Sequence, residues 1–268
     1  MTTAPDFTLV GKTIIVTGAG RGLGKAIVEG LAALGANVVV AGRTPEDVAA
    51  VAQGIVERGG TALDLVFDAQ DAEEVEHLVA ATLARFGRLD GVVVNHGVTL
   101  HASAYDTSPE SFRQVVDINL TSCFLCARAA GRQMRNQGHG GSIVLISSNA
   151  SFLAYDGLVA YGASKGGVDQ LCRQLGGEWA PDGIRVNAIG PGYMNSHMRG
   201  VETTYEDPSY KNELMRMIPM RRRGDPHELV GAVAFFLSNS SSYVTGQYLA
   251  IDGGFSLFCS GRPCQKFC

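Results

Sequence analysis

The chain has 268 residues, 46% hydrophobic and 18% charged with 34 glycines, which suits one compact α/β domain with buried parallel strands. Its formal net charge of −4 offers no basic field for nucleic acid. No apolar run approaches the ~18 residues of a membrane span, and the start from Met1 to Asp6 lacks the charged and apolar regions of a signal peptide, so the expectation is a cytoplasmic protein with a small-molecule partner.

Lys12 to Thr17 is a short β-branched run that reads as a buried strand, followed by the glycine-rich loop Gly18 to Gly24 and an apolar-periodic helix to about Gly35. Glycine lets the backbone turn sharply against a phosphate, and the following helix N-terminus offers free N–H groups. The combination is a candidate dinucleotide seat, better supported between a strand and a helix than by its glycines alone. A second strand, Asn37 to Ala41, ends at Gly42-Arg43-Thr44. Thr44 is an expected N-cap, Pro45 fits the first helical position, and Asp47 completes an expected capping box.

Strand three runs from about Thr61 to Phe67 and ends at Asp68; Asp71-x-x-Glu74 opens a helix reaching about Phe86. Strand four, Gly91 to Val94, ends at Asn95-His96-Gly97. Ser108-Pro109-Glu110 starts one long helix through Asn119 to about Asn136. Strand five, Ser142 to Ser147, precedes Ser148, and the helix bearing Tyr161 and Lys165 runs to about Ala180. Strand six, Ile184 to Ile189, leads into Gly190-Pro191-Gly192. Asp225 to Glu228 caps a last helix to about Leu237, and Gln247 to Ile251 is a final strand. Such β-α alternation implies a doubly wound parallel sheet with helices on both faces and ligands beyond the strands' carboxyl ends. The reading is one domain over residues 1–256 with a mobile substrate lid at 193–224, then an atypical tail, 257–268, containing Cys259, Cys264 and Cys268.

Tyr161 and Lys165 stand four apart on a helix, which puts them on one face with Cβ atoms ~5–6 Å apart. A held cation favours phenolate, bringing a group that ionises near pH ~10 toward the neutral range, where it can exchange protons with an alcohol or a carbonyl. An isolated Tyr-x-x-x-Lys is more often a half-buried tyrosine beside a solvated lysine. Cys123-x-x-Cys126 and Cys172 read as packing, since no second ligand pair is near. His77, His139 and His227 read as surface residues, while His101 and His197 are cleft candidates. Ser147 is expected to point to the opposite side of its strand and serve packing or a backbone bond, and Asn149 and Tyr155 to form substrate wall.

Taken together, these motifs resemble the short-chain dehydrogenase/reductase family: Thr-Gly-x-x-x-Gly-x-Gly as Thr17 to Gly24, the Asn-Ala-Gly element as Asn95-His96-Gly97, an asparagine at Asn119, a serine thirteen before the tyrosine at Ser148, then Pro191-Gly192 and Asp252-Gly253-Gly254. The resemblance implies a Rossmann-type oxidoreductase that works as a homotetramer without metal. Tyr161 would be the acid/base, Lys165 its pKa-lowering cation and ribose holder, Ser148 the hydrogen-bond donor to the reacting oxygen, and Asn119 the holder of a relay water. Gly18, Arg21, Gly22, Leu23, Gly24, Arg43, Thr44, Asp68, Ala69, Asn95, Gly97, Pro191, Gly192, Met194 and Ser196, with Tyr161 and Lys165, would contact the cofactor. An NAD site presents an acid at the end of strand two. Gly42 stands there with Arg43, Thr44 and Arg21 beside it, so the expected cofactor is NADP(H).

The segment from Pro191 to Arg199 resembles reductases of keto-sugar acids such as gluconate 5-dehydrogenases. It points to a small hydroxylated carbonyl, against a steroid or acyl-thioester carbonyl, or a catalytically silent dinucleotide sensor. His96 departs from the family's alanine and is expected to bring an imidazole near the nicotinamide side of the cleft.

Overall fold

The computed structural model describes residues 6–196 and 214–257. Seven parallel strands, β1 (Thr13–Thr17), β2 (Asn37–Gly42), β3 (Thr61–Val66), β4 (Gly91–Val94), β5 (Gly141–Ile146), β6 (Ile184–Pro191) and β7 (Tyr248–Ile251), form one sheet in the order β3-β2-β1-β4-β5-β6-β7. Its strands alternate their side chains between two cores. Ile14, Val16, Val38 and Val40 join the core under helices α1 (Gly22–Ala33), α2 (Pro45–Glu57) and α7 (Val230–Leu237). Ile15, Val39, Val92 and Val94 join the core under α3 (Ala72–Phe86), α5 (Ser122–Gln137) and α6 (Val159–Glu178). Each such side chain contributes about 1.5–3 kcal/mol on burial, and a strand buried on both faces reads as a continuous apolar run. Helices cover both faces, as expected.

The chain leaves β1 toward β2 on one side and enters β4 on the other, so the switch point lies between the carboxyl ends of β1 and β4. Gly18 and Asn95 stand there. Helix ends follow the local chemistry: Asp71 accepts from the amides of Glu73 and Glu74, Asp225 and Glu228 form a reciprocal capping box, and Gly183, at φ 72°, ends the 3₁₀ turn after α6.

Three expectations are corrected. The expected single helix from Ser108 to Asn136 is α4 (Pro109–Val116), a π-turn (Asp117–Thr121) and α5, the Ser122 amide reaching back five residues to Asp117 O. Thr44 has N-cap backbone geometry, but its side chain makes no capping bond and turns to the cavity described below. Finally, β6 runs on through Gly190 and Pro191, because β7 continues to pair with it there. Gly190 is required by the fold: a Cβ would collide with the Tyr248 hydroxyl, which passes over it to donate to Ser148 O at 3.1 Å.

The expected lid falls partly on residues 197–213, and the tail's cysteines on 258–268; both lie outside the described residues. No described helix is long and apolar enough to cross a membrane.

Candidate active site

A cavity of about 910 Å³ opens over the carboxyl ends of β1, β2, β4, β5 and β6. Ser148, Tyr161, Lys165 and every expected cofactor contact except Gly24 line it, whereas Thr17, Asn119 and Asp252-Gly253-Gly254 do not; Gly24 and Asn119 act from behind the wall. A Cβ on Gly24 would strike the Gly18 carbonyl and come 2.5 Å from Asn95 Nδ2, so glycine is what lets α1 start this close to β1. Asn119 is buried, and a Cβ on Gly97 would lie 3.2 Å from its Oδ1.

The glycine loop is a cradle already formed. Gly18 and Gly22 sit at φ 62° and 59°, in the left-handed region that favours glycine. Asn95 Nδ2 donates to the carbonyls of Thr17 and Gly18, both at 3.1 Å, which holds the turn open. At the start of α1 the N-cap Arg21 makes no side-chain capping bond, leaving the first-turn amides for an anion. A Cβ on Gly22 would lie 2.9 Å from Ser196 Oγ, so the segment after β6 closes over the same turn. These residues fit a bound dinucleotide pyrophosphate.

At the far end Arg21 and Arg43 are exposed, and neither guanidinium takes a hydrogen bond or ion pair among the described residues. An acid that sequence reasoning assigned only to a helix cap, Asp47, also lines this end. A Cβ on Gly20 would come 2.7 Å from Asp47 Cβ. Its place in the first turn of α2 was the signal that could have found it.

At the other end stand Ser148, Tyr161 and Lys165. Lys165 is 4% exposed; its Nζ donates to Ile146 O at 2.8 Å and lies 5.8 Å from the Tyr161 ring centroid. Burial pushes the ammonium down to about 8, with Cys123 and Asp169 opposing. Ser148 Oγ accepts from the Ala150 amide at 3.1 Å, which leaves its own hydrogen for an acceptor in the cavity. Asn119 does not contact the cavity. Its amide exchanges two bonds with Val98, 2.8 Å from the Val98 N–H and 2.9 Å to its carbonyl, and a third, 3.0 Å, goes to Ser164 Oγ. Ser164 in turn donates to Tyr161 O at 2.7 Å.

His96 stands at the cavity, as its place after Asn95 implies. Both ring nitrogens, however, are engaged inward, Nδ1 with Thr17 Oγ1 at 2.8 Å and Nε2 with Ser122 Oγ at 2.6 Å, so neither is presented to a substrate. Burial, with Lys165 and Arg43 nearby, pushes its pKa down to about 3. Ser147 lines the cavity beside Ser148, contrary to the expectation that it points away, while its hydroxyl donates to Lys165 O at 3.4 Å.

Asn149, Tyr155 and His101 line the substrate end; His197 lies outside the described residues. Sequence reasoning missed Val98, Leu100, Ile118, Asp156, Leu158 and Tyr193 there, because loops and a π-turn that meet only in the fold carry them. The bridge between Ala102 and Leu158 stitches two of those loops together. Behind this wall Phe255 stacks on Tyr155 at 6.2 Å and meets Tyr193 edge-on at 5.2 Å.

His77, His139 and His227 are exposed. Cys123, Cys126 and Cys172 are buried free thiols that burial pushes up, Cys123 and Cys172 to about 12. The described residues hold no group of three metal-ligating side chains.

Residues 18–256 match the family model described as enoyl-(acyl carrier protein) reductase. The chain is 35% identical over 254 residues to the gluconate 5-dehydrogenase of Gluconobacter oxydans, covering 94% of this chain and 98% of that one. It is likewise 35% identical to a tropinone reductase homolog of Arabidopsis thaliana, over 96% and 97% of the two chains. Among solved structures, a gluconate 5-dehydrogenase from Burkholderia cenocepacia in complex with NADP and tartrate superposes with a TM-score of 0.89 at 33% identity, covering 95% of this chain and 98% of that one.

Proposed function

This chain belongs to the short-chain dehydrogenase/reductase family, and from that premise we propose that it interconverts a secondary alcohol and a ketone with NADP(H), using Tyr161 as acid/base. The observation that carries the reading is the convergence of Ser148, Tyr161 and Lys165 on the cavity that the glycine cradle opens into. A silent dinucleotide sensor needs the cradle and not those three side chains.

A dinucleotide held by its pyrophosphate in the cradle would supply or take a hydride at the end of the cavity where Ser148, Tyr161 and Lys165 stand. Ser148 donates its hydroxyl hydrogen to the substrate oxygen, and Tyr161 delivers the proton to it in the reductive direction. Lys165, held on Ile146 O, keeps a positive charge beside the phenol. Asn119's amide is committed to Val98 and Ser164, so its part is to hold those segments; a relay water past Lys165 would rest on main-chain atoms. Arg21, Arg43 and Thr44 take the 2′-phosphate.

For substrate, similarity to gluconate 5-dehydrogenases supports a small hydroxylated carbonyl. The aromatic backing from Tyr155, Tyr193 and Phe255, with the carboxylate of Asp156 at the cavity, favours a second reading, an uncharged or cationic ring ketone. Following NADPH loss with keto-sugar acids, neutral cyclic ketones, amino ketones, a steroid ketone and a β-keto thioester decides between them. No turnover with any of them would sink the reading. Exposed Phe112, Phe124 and Leu249 support assembly into a homotetramer through α4, α5 and β7, which light scattering tests.

A further inference from the structure

The π-turn that carries Asn119 leaves one carbonyl without its helical donor. The Ser122 amide, which in an α-helix would reach Ile118 O, goes to Asp117 O. The Ser122 hydroxyl takes over that duty and donates to Ile118 O. A hydroxyl carries one hydrogen, so in the 2.6 Å contact with His96 it is the imidazole Nε2–H that donates.

The neutral ring's Nδ1 must then accept. Thr17 Oγ1 lies 2.8 Å away and donates to it, the alternative acceptor, Val93 O, being 3.5 Å distant. The same Thr17 oxygen receives the Asn95 amide at 3.0 Å. A directed chain therefore runs from the end of β1, beside the cofactor cradle, through His96 and Ser122 to the carbonyl that the π-turn strands. From the turn itself, Asn119 reaches Val98 on one side and Ser164, on the turn of helix that bears Tyr161, on the other.

We infer that His96 is a positioning residue: its imidazole braces the π-turn against β1 and so fixes Asn119, and through it the Val98 loop and the start of α6, relative to the cofactor cradle. Alanine, the residue of the family's motif at this place, makes no such bridge. The inference rests on the proposed role of Asn119, and the test separates the two.

In the purified full chain, amide hydrogen exchange over Asp117–Ser122 is expected to quicken roughly tenfold in His96→Ala and in Ser122→Ala, which cut the bridge from opposite ends. Unchanged exchange in both would overturn the inference with no substrate needed. With the best ketone from the panel, kcat should fall roughly tenfold in His96→Ala, with the NADPH KM within about twofold. His96→Gln, which keeps a donor and an acceptor, should recover part of it. Adding His96→Ala to Asn119→Ala should cost little further; losses that add in full would mark His96 as a separate structural residue. If Asn119→Ala alone left kcat intact, the tetrad reading and this inference would both fail. If only His96→Ala and Ser122→Ala left it intact, only this inference would.

Discussion

The ammonium of Lys165 donates to the carbonyl of Ile146 at 2.8 Å, tying α6 to the end of β5 two residues before Ser148. That bond explains how a lysine can be 4% exposed and still line the cavity: the backbone oxygen stands in for one of its waters.

The cost of that burial has a pH signature. Burial brings the folded pKa down to about 8 from the 10.5 of a free lysine, so between those values the unfolded chain holds a proton that the folded chain has released. Stability due to this residue therefore rises with pH through that window, and below it the buried charge costs on the order of 3 kcal/mol. Thermal melts of wild type and Lys165→Met from pH 7 to 10.5 should show the difference moving in the wild type's favour as pH rises. A difference that stays flat would contradict the buried charge. Ketone reduction should slow as pH climbs past about 8, where the cation beside Tyr161 is lost.

Tyr161→Phe keeps the ring and removes the proton donor. Turnover should fall by roughly 10²–10⁴-fold while NADPH binding, followed by fluorescence, changes little. Ser148→Ala should lose less. Wild-type rates in Tyr161→Phe would collapse the assigned chemistry.

Arg43 lines the cavity beyond the end of β2 without a protein partner among the described residues. A charge-assisted contact to the 2′-phosphate is worth ~1.5–3 kcal/mol, so Arg43→Ala should weaken NADPH roughly tenfold to a hundredfold and leave NADH nearly unchanged. Asp47 at the same end makes the measurement more informative. Equal losses for both cofactors, or a wild-type preference for NADH, would refute the assignment of the phosphate to Arg43.

The parts legible in the sequence are those set by short-range periodicity and local chemistry. Continuous β-branched runs had to be strands buried on both faces, as β1 is. Glycines between a strand and a helix had to make a close turn, and residues four apart had to share a helix face, which brought Tyr161 and Lys165 to one cavity. The π-turn was invisible because one extra residue within a continuous helical stretch changes neither its helix-forming composition nor its caps. The side chain that bonds to the turn's end comes from far off in the chain, His96 lying 26 residues before Ser122 and 79 after Thr17. For the same reason the direction of the His96 ring, inward to two hydroxyls, and the stacking of Phe255 behind Tyr155 were decided only in the tertiary structure. A side chain's neighbours along the chain limit its conformations, but a hydrogen bond's geometry is chosen by whichever donors and acceptors the packed sheet and helices bring within 3 Å or so of it.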